Sequence, residues 1–154
     1  MIQISADDTT RPDVRALLDE HLADMFATSP AESVHALDHS ALSAPGITFW
    51  TAREGGRLLG CGALKEMASG EGEIKSMRTT TAARRRGVGS LLLGHIIGEA
   101  EGRGYARLLL ETGTEDYFAP ARNLYLRNGF VECPPFGSYS ADPHSTFMSL
   151  TLQG

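Results

Sequence analysis

The chain has 154 residues, a net charge of −5, 42% hydrophobic and 21% charged residues. That length fits one domain with one core, and the balance of apolar and charged residues excludes disorder along the whole chain. No run approaches the roughly 18 apolar residues of a membrane span, and the start MIQISADDTT lacks an export leader's features, so a cytoplasmic protein with no membrane partner is expected.

Residues 2–5 alternate and read as a strand. Thr10 to Ser29 reads as a helix with Val14, Leu17, Leu18, Leu22, Met25 and Phe26 on one apolar stripe. Thr10 with Asp13 three residues on resembles a capping box, and Pro12 suits a first turn. A shorter helix is expected over 31–42. Strands follow at 47–53 and 57–64, joined at Gly55-Gly56, whose two glycines suit a turn with two positive φ angles. A third strand runs from Glu73 to Thr79, and a glycine-bearing turn at 87–89 opens a helix that ends near Gly102. Val88, Leu92, Ile96 and Ala100, flanked by Leu93 and Ile97, form its buried face. Ala106–Glu111 reads as a buried strand, Ala119–Asn128 as a helix stopped by Gly129, and 146–152 as a last strand. The order β-α-α-β-β-β-α-β-α-β-β predicts a mixed α/β sheet with helices on its faces.

The chemistry concentrates in EIKSMRTTTAARRRGVGSLLLGHI, residues 73–96. A strand enters a loop of arginine and glycine, which runs directly into a helix. Unpaired N–H groups and the dipole at a helix start attract phosphate, glycines let the backbone come close, and arginines add charge. The segment is neither a P-loop, since no lysine follows Gly89, nor a dinucleotide fingerprint, since a third glycine is missing. Residues 1–70 carry the whole −5, whereas 71–154 are neutral overall. The overall sign disfavours nucleic acid as a partner but permits a local anion site around Arg84, Arg85 and Arg86.

Arg84-x-x-Gly87-x-Gly89 at a strand-to-helix turn resembles the signature of the GNAT superfamily of N-acetyltransferases. The seven-residue step from Met77 to Arg84 and the LYLRNGF run at 124–130 extend the likeness over about 45–150. The resemblance implies a single domain over 1–154: a mixed, mostly antiparallel sheet of six to seven strands with a splayed central pair, and about four helices. It implies acetyl-CoA as co-substrate, no metal, an amine acceptor, and a monomer or homodimer. Backbone amides of Arg85, Arg86, Gly87, Val88, Gly89 and Ser90 would wrap the diphosphate, with Arg84 at the head of the motif. Met77, Arg78 and Thr79 would bond the pantetheine arm, with a bulge splaying their strand. Many members carry an asparagine where this chain has Phe118, and Asn123 lies elsewhere on that helix.

Acyl transfer to an amine needs a base for the ammonium, a donor for the oxyanion and a proton for the thiolate. Tyr125 matches the family's tyrosine and is the expected acid. Its phenol, with a pKa of about 10, can protonate a thiolate whose parent lies near 8.5. Glu73 lies four residues before Met77, where the family's histone-acetylating branch carries a catalytic glutamate, so the resemblance implies it as the base; strand alternation sets Glu73, Lys75 and Met77 on one face. Glu111 is the rival, and a chain of waters the other route. The oxyanion would meet a backbone N–H of the strand around Met77–Thr79, and transfer would be direct, without an acyl-enzyme. Cys61 reads as a small buried hydrophobe rather than a nucleophile, and Cys133 is no stronger a candidate. His35 and His39 read as surface or acceptor-loop residues, and His21, His95 and His144 as isolated. Asp24, Glu32 and Asp38 lie in the region expected to face a cationic acceptor, while 134–143 reads as a lid or a plain loop. The alternative functions are a non-catalytic acyl-CoA-binding module and a nucleic-acid-binding domain.

Overall fold

A computed structural model describes residues 1–30 and 39–152; of the helix expected over 31–42, residues 31–38, with Glu32, His35 and Asp38, and the side chain of His39 lie outside the described residues. The order is β1 (Gln3–Ala6), α1 (Pro12–Thr28), a single turn α2 (His39–Leu42), β2 (Ile47–Glu54), β3 (Arg57–Met67), β4 (Glu71–Thr79), α3 (Val88–Gly102), β5 (Arg107–Gly113), α4 (Ala119–Arg127), β6 (Val131–Glu132) and β7 (Ser145–Thr151). All seven strands join one sheet in the order β1-β2-β3-β4-β5-β7-β6. Every neighbouring pair is antiparallel except β4 and β5. Gly55 and Gly56 sit at φ 58° and 82° in the β2–β3 turn, as two positive-φ turn residues should.

Period-two alternation sends the two sheet faces to different helices. On one face Leu64, Ile74, Leu108 and Leu110 pack with Leu93 and Ile96 of α3 and Tyr125 of α4. On the other, Phe49, Cys61 and Ala63 pack with Val14, Leu17 and Leu18 of α1. The apolar stripe of α1 buries only over its first half, for Leu22 and Met25 are half-buried and Phe26 is 56% exposed. Beyond Leu18 the helix runs past the closed part of the sheet, and Glu20, His21 and Asp24 turn towards the site described below. The expected capping box does not form. Arg11 precedes the helix with no side-chain cap, because the Thr10 hydroxyl donates to Asp8 Oδ1 instead.

Candidate active site

The β4–β5 ladder stops at the Ile74–Leu110 pair. Beyond it β4 continues to Thr79 beside β3 alone, so the parallel pair opens into a gap. A bulge makes the opening. The β3–β4 register shifts between Cys61 and Ala63, setting Ser76 and Met77 against Gly62 alone, and Ser76 takes φ 56°. The inserted residue reverses the alternation that follows. Glu73 and Lys75 share the α1 face, but Met77 packs with Ile96 on the α3 face and Arg78 turns to α1. Glu73, Lys75 and Met77 therefore do not lie on one face.

A cleft of about 720 Å³ runs from this gap to the start of α3. Of the residues expected to hold a cofactor, Met77, Arg78, Thr79, Arg84, Arg85, Gly87, Val88, Gly89 and Ser90 line it, and Arg86 does not. The Arg86 guanidinium reaches Glu54 at 2.9 Å, and the Arg86 backbone N–H donates to Ala83 O. Gly87, at φ 78°, begins α3 with no side-chain cap, and Arg85 also takes a positive φ of 67°. Such a turn directs successive N–H groups into one concavity, the geometry of an anion nest. At the gap, Thr80 donates its N–H to Leu59 O on β3, so alternation sends the N–H groups of Thr79 and Met77 the other way. A strand edge with unpaired donors is what an amide-bearing ligand needs to bind as an added strand.

A second, smaller cavity of about 90 Å³ adjoins the cleft; both share His21, Met77, Phe118, Ala121 and Tyr125. Glu73, Lys75, Ser76 and Glu111 also line it. Glu73 is 3% exposed, and its Oε2 accepts from Tyr139 OH at 2.6 Å and Lys75 Nζ at 3.2 Å. Tyr125 stands on the opposite face, 6% exposed, its ring edge-on to Phe130. Burial pushes its phenol well above its ordinary pKa, so it stays protonated. Cys61 is buried, donates to Ser76 O, and has its pKa pushed up by burial to about 12, which removes it as a nucleophile. Among the described residues no cluster of three His, Cys, Asp or Glu side chains could hold a metal.

Side chains from three elements clasp the α1 side of the gap. Arg78 donates to Glu20, to Asp24 at 2.6 Å and to Tyr117 OH at 3.1 Å, and Tyr117 donates to Asp24. Asp24 is therefore committed to Arg78 and is not an open carboxylate for a cationic acceptor. Desolvation and the Arg78 charge push His21 down to about 4 against the pull of Asp24, leaving it neutral at pH 7. Phe118 packs against Gly113, which has no room for a Cβ, and α4 lines the cleft with Asn123, Leu124 and Tyr125. Sequence reasoning does not single out Tyr139, His21 or the side chain of Arg78. Each meets its partners only through tertiary packing, and no local spacing announces them.

A sheet split beyond one residue pair, with an uncapped helix start at its mouth, is the arrangement that the resemblance to N-acetyltransferases implies. The sequence matches the acetyltransferase (GNAT) family over residues 14–130. The Bacillus subtilis protein named uncharacterized N-acetyltransferase YsnE is 52% identical over 151 residues, 98% of this chain and 100% of its own length. The Escherichia coli protein named uncharacterized N-acetyltransferase YedL is 50% identical over 152 residues, 99% of this chain and 96% of its own. A Bacillus subtilis acetyltransferase solved in complex with CoA shares the fold, with a TM-score of 0.73 at 17% identity, over 99% of this chain and 100% of that one. The chain belongs to the GNAT acetyltransferase family. Among the described residues no helix is long and apolar enough to cross a membrane.

Proposed function

We propose that the chain moves an acetyl group from acetyl-CoA to a primary amine by direct transfer in a ternary complex. One observation carries the reading: Tyr125 and Glu73 reach the same gap from opposite faces of the sheet. The diphosphate fits the N–H groups of Arg85, Gly87, Val88, Gly89 and Ser90, with charge from Arg84 and Arg85. The outward N–H groups of Met77 and Thr79 serve the pantetheine amides and, nearest the bulge, the developing oxyanion. The smaller cavity on the α1 side receives the amine. Its nitrogen attacks the thioester carbon, forming the C–N bond while the carbonyl pair moves to oxygen. The ammonium proton passes to Glu73, directly or through water, and the C–S bond breaks as the carbonyl reforms. Tyr125 gives its proton to the departing sulfur and regains one from solvent. Its raised pKa suits the role, because the thiolate lies in the same desolvated slot and holds its proton more tightly there as well.

The test is CoA release from acetyl-CoA, read with a thiol reagent, against a panel of primary amines and amino acids. Release above hydrolysis is expected for at least one amine, with intersecting initial-rate lines when both substrates vary. Parallel lines would replace direct transfer with an acyl-enzyme. Calorimetric CoA binding with no release for any amine would assign a non-catalytic acyl-CoA-binding module instead.

A further inference from the structure

Tyr139 belongs to the segment 134–143 and meets Glu73 and Lys75 of β4 and Phe147 of β7. Its ring stands 5.1 Å from Phe136 and 5.5 Å from Phe147, and Phe136 is edge-on to Phe147. Gly137 at φ 58° and the Tyr139 N–H to Phe136 O bond close the turn that carries it. Phe147 faces Glu111 in the β5–β7 register, so this aromatic seat lies beside the opening of the strands.

We propose that Tyr139 is a positioning residue for Glu73: it ties Oε2 of the carboxylate so that Oε1 alone is presented to the small cavity. The inference rests on reading Glu73 as the base. Lys75 Nζ lies 2.8 Å from Tyr139 OH, and Tyr139 OH lies 2.6 Å from Glu73 Oε2. A lysine ammonium only donates and a carboxylate only accepts. The tyrosine hydroxyl therefore accepts from Lys75 and commits its own proton to Glu73. Both hydrogen bonds to Glu73, from Lys75 and Tyr139, fall on Oε2, and Oε1 accepts none among the described residues. The free oxygen is the one that can take a proton from an amine or a water. Burial and the Glu73 charge raise the Tyr139 pKa, so the donor does not ionise in the working range. The other charged or titratable groups around Glu73 include Lys65 opposite it on β3, Lys75 on β4, Glu111 on β5, His21 on α1 and Tyr125 on α4.

Tyr139→Phe keeps the ring in its seat and removes the hydroxyl. The test follows the Glu73 carboxyl by carbon-13 NMR of glutamate-labelled protein across pH, with the signal assigned by its loss in Glu73→Gln. Losing a donor to the charged form raises the midpoint, and a rise of about one unit is expected. Site-specific 3-fluorotyrosine at 139 is a stronger donor and must move the midpoint the other way. An unmoved midpoint in both variants overturns the proposal. The base assignment is separated by Glu73→Gln: wild-type CoA release in that variant ends the role of Glu73, whatever Tyr139 does to its titration.

Discussion

Gly62 and Met77 meet across the bulge so closely that a Cβ on Gly62 would stand 2.5 Å from Met77 Sδ and 3.1 Å from Ile96 Cδ1. Gly60, two residues earlier on the same strand, would set its Cβ 2.8 Å from the Arg78 carbonyl oxygen. The two glycines make room for the same strand but against different kinds of neighbour. A thioether can swing aside, and the space open to it is the cleft that Met77 lines. A backbone oxygen can move only if the ladder moves. Gly62→Ala is therefore expected to weaken CoA binding about tenfold while costing about 1 kcal/mol of stability. Gly60→Ala is expected to cost about 3 kcal/mol, the upper end for overpacking, because Val88 and Leu92 also press on that site. Thermal melts and CoA calorimetry on both variants check this, and equal stability losses would contradict it.

The three consecutive arginines are not equivalent. Arg84 and Arg85 line the cleft, whereas Arg86 is tied to Glu54 on the far side of the loop. Arg84→Ala and Arg85→Ala should each weaken CoA binding several-fold, and the loss should shrink as salt is raised. Arg85→Ala leaves the positive φ of residue 85 on a side chain that still has a Cβ, so the comparison reads charge and not backbone freedom. Arg86→Ala should leave the CoA Kd within about twofold, since its exposed pair with Glu54 contributes little. A loss for Arg86→Ala as large as for Arg84→Ala would return Arg86 to the site.

Most of the fold was legible because its elements carry local signals. The α3 face follows from Val88, Leu92, Ile96 and Ala100 at helical spacing, and all four are buried. The uncapped start of α3 follows from Gly87, and the end of α4 from Gly129 at φ 93°. The bulge itself belongs to the resemblance, but its position at Ser76 has no compositional mark. One inserted residue there moves Met77 and Arg78 to exchanged faces, and simple alternation misplaces both. The anchoring of Glu73 is hidden for another reason. Tyr139 lies 66 residues away in a loop with no periodic pattern, and only the folded sheet brings them together. Arg78, which the sequence reading takes only as a backbone contact, also places its buried side chain between α1 and the β5–α4 connection.

Tyr125→Phe is expected to lower kcat by about 10²–10³-fold with the KM for acetyl-CoA little changed, the range for loss of a general acid. The pH dependence sharpens the test. Burial holds the Tyr125 phenol above its ordinary value of about 10, so it remains protonated across the assay range. The variant should therefore lower the kcat profile at every pH without moving its limbs. A profile whose alkaline limb disappears in Tyr125→Phe would mean that the phenol titrates in the working range, against the burial seen here.

Asp7 secures the helix that carries His21, Glu20 and Asp24 over the gap. Its carboxylate accepts from the Thr51 hydroxyl at 2.6 Å, the Asp8 N–H at 2.8 Å and Arg53 Nε at 3.1 Å, while Arg53 also holds Asp13 in the first turn of α1. Burial pushes the Asp7 pKa up, but the donors outweigh it and bring the group from 3.8 to about 2. The folded pKa lies below the unfolded one, so the stabilisation is full above pH 4 and fades as pH falls towards 2. The gap between the two corresponds to about 2 kcal/mol at neutral pH. Asp7→Asn should lower Tm by several degrees at pH 7 and flatten the loss of stability between pH 4 and pH 2. Denaturant melts at four or five pH values measure both effects. Parallel curves for the two proteins through that acid range would show that Asp7 is not the group whose protonation loosens α1.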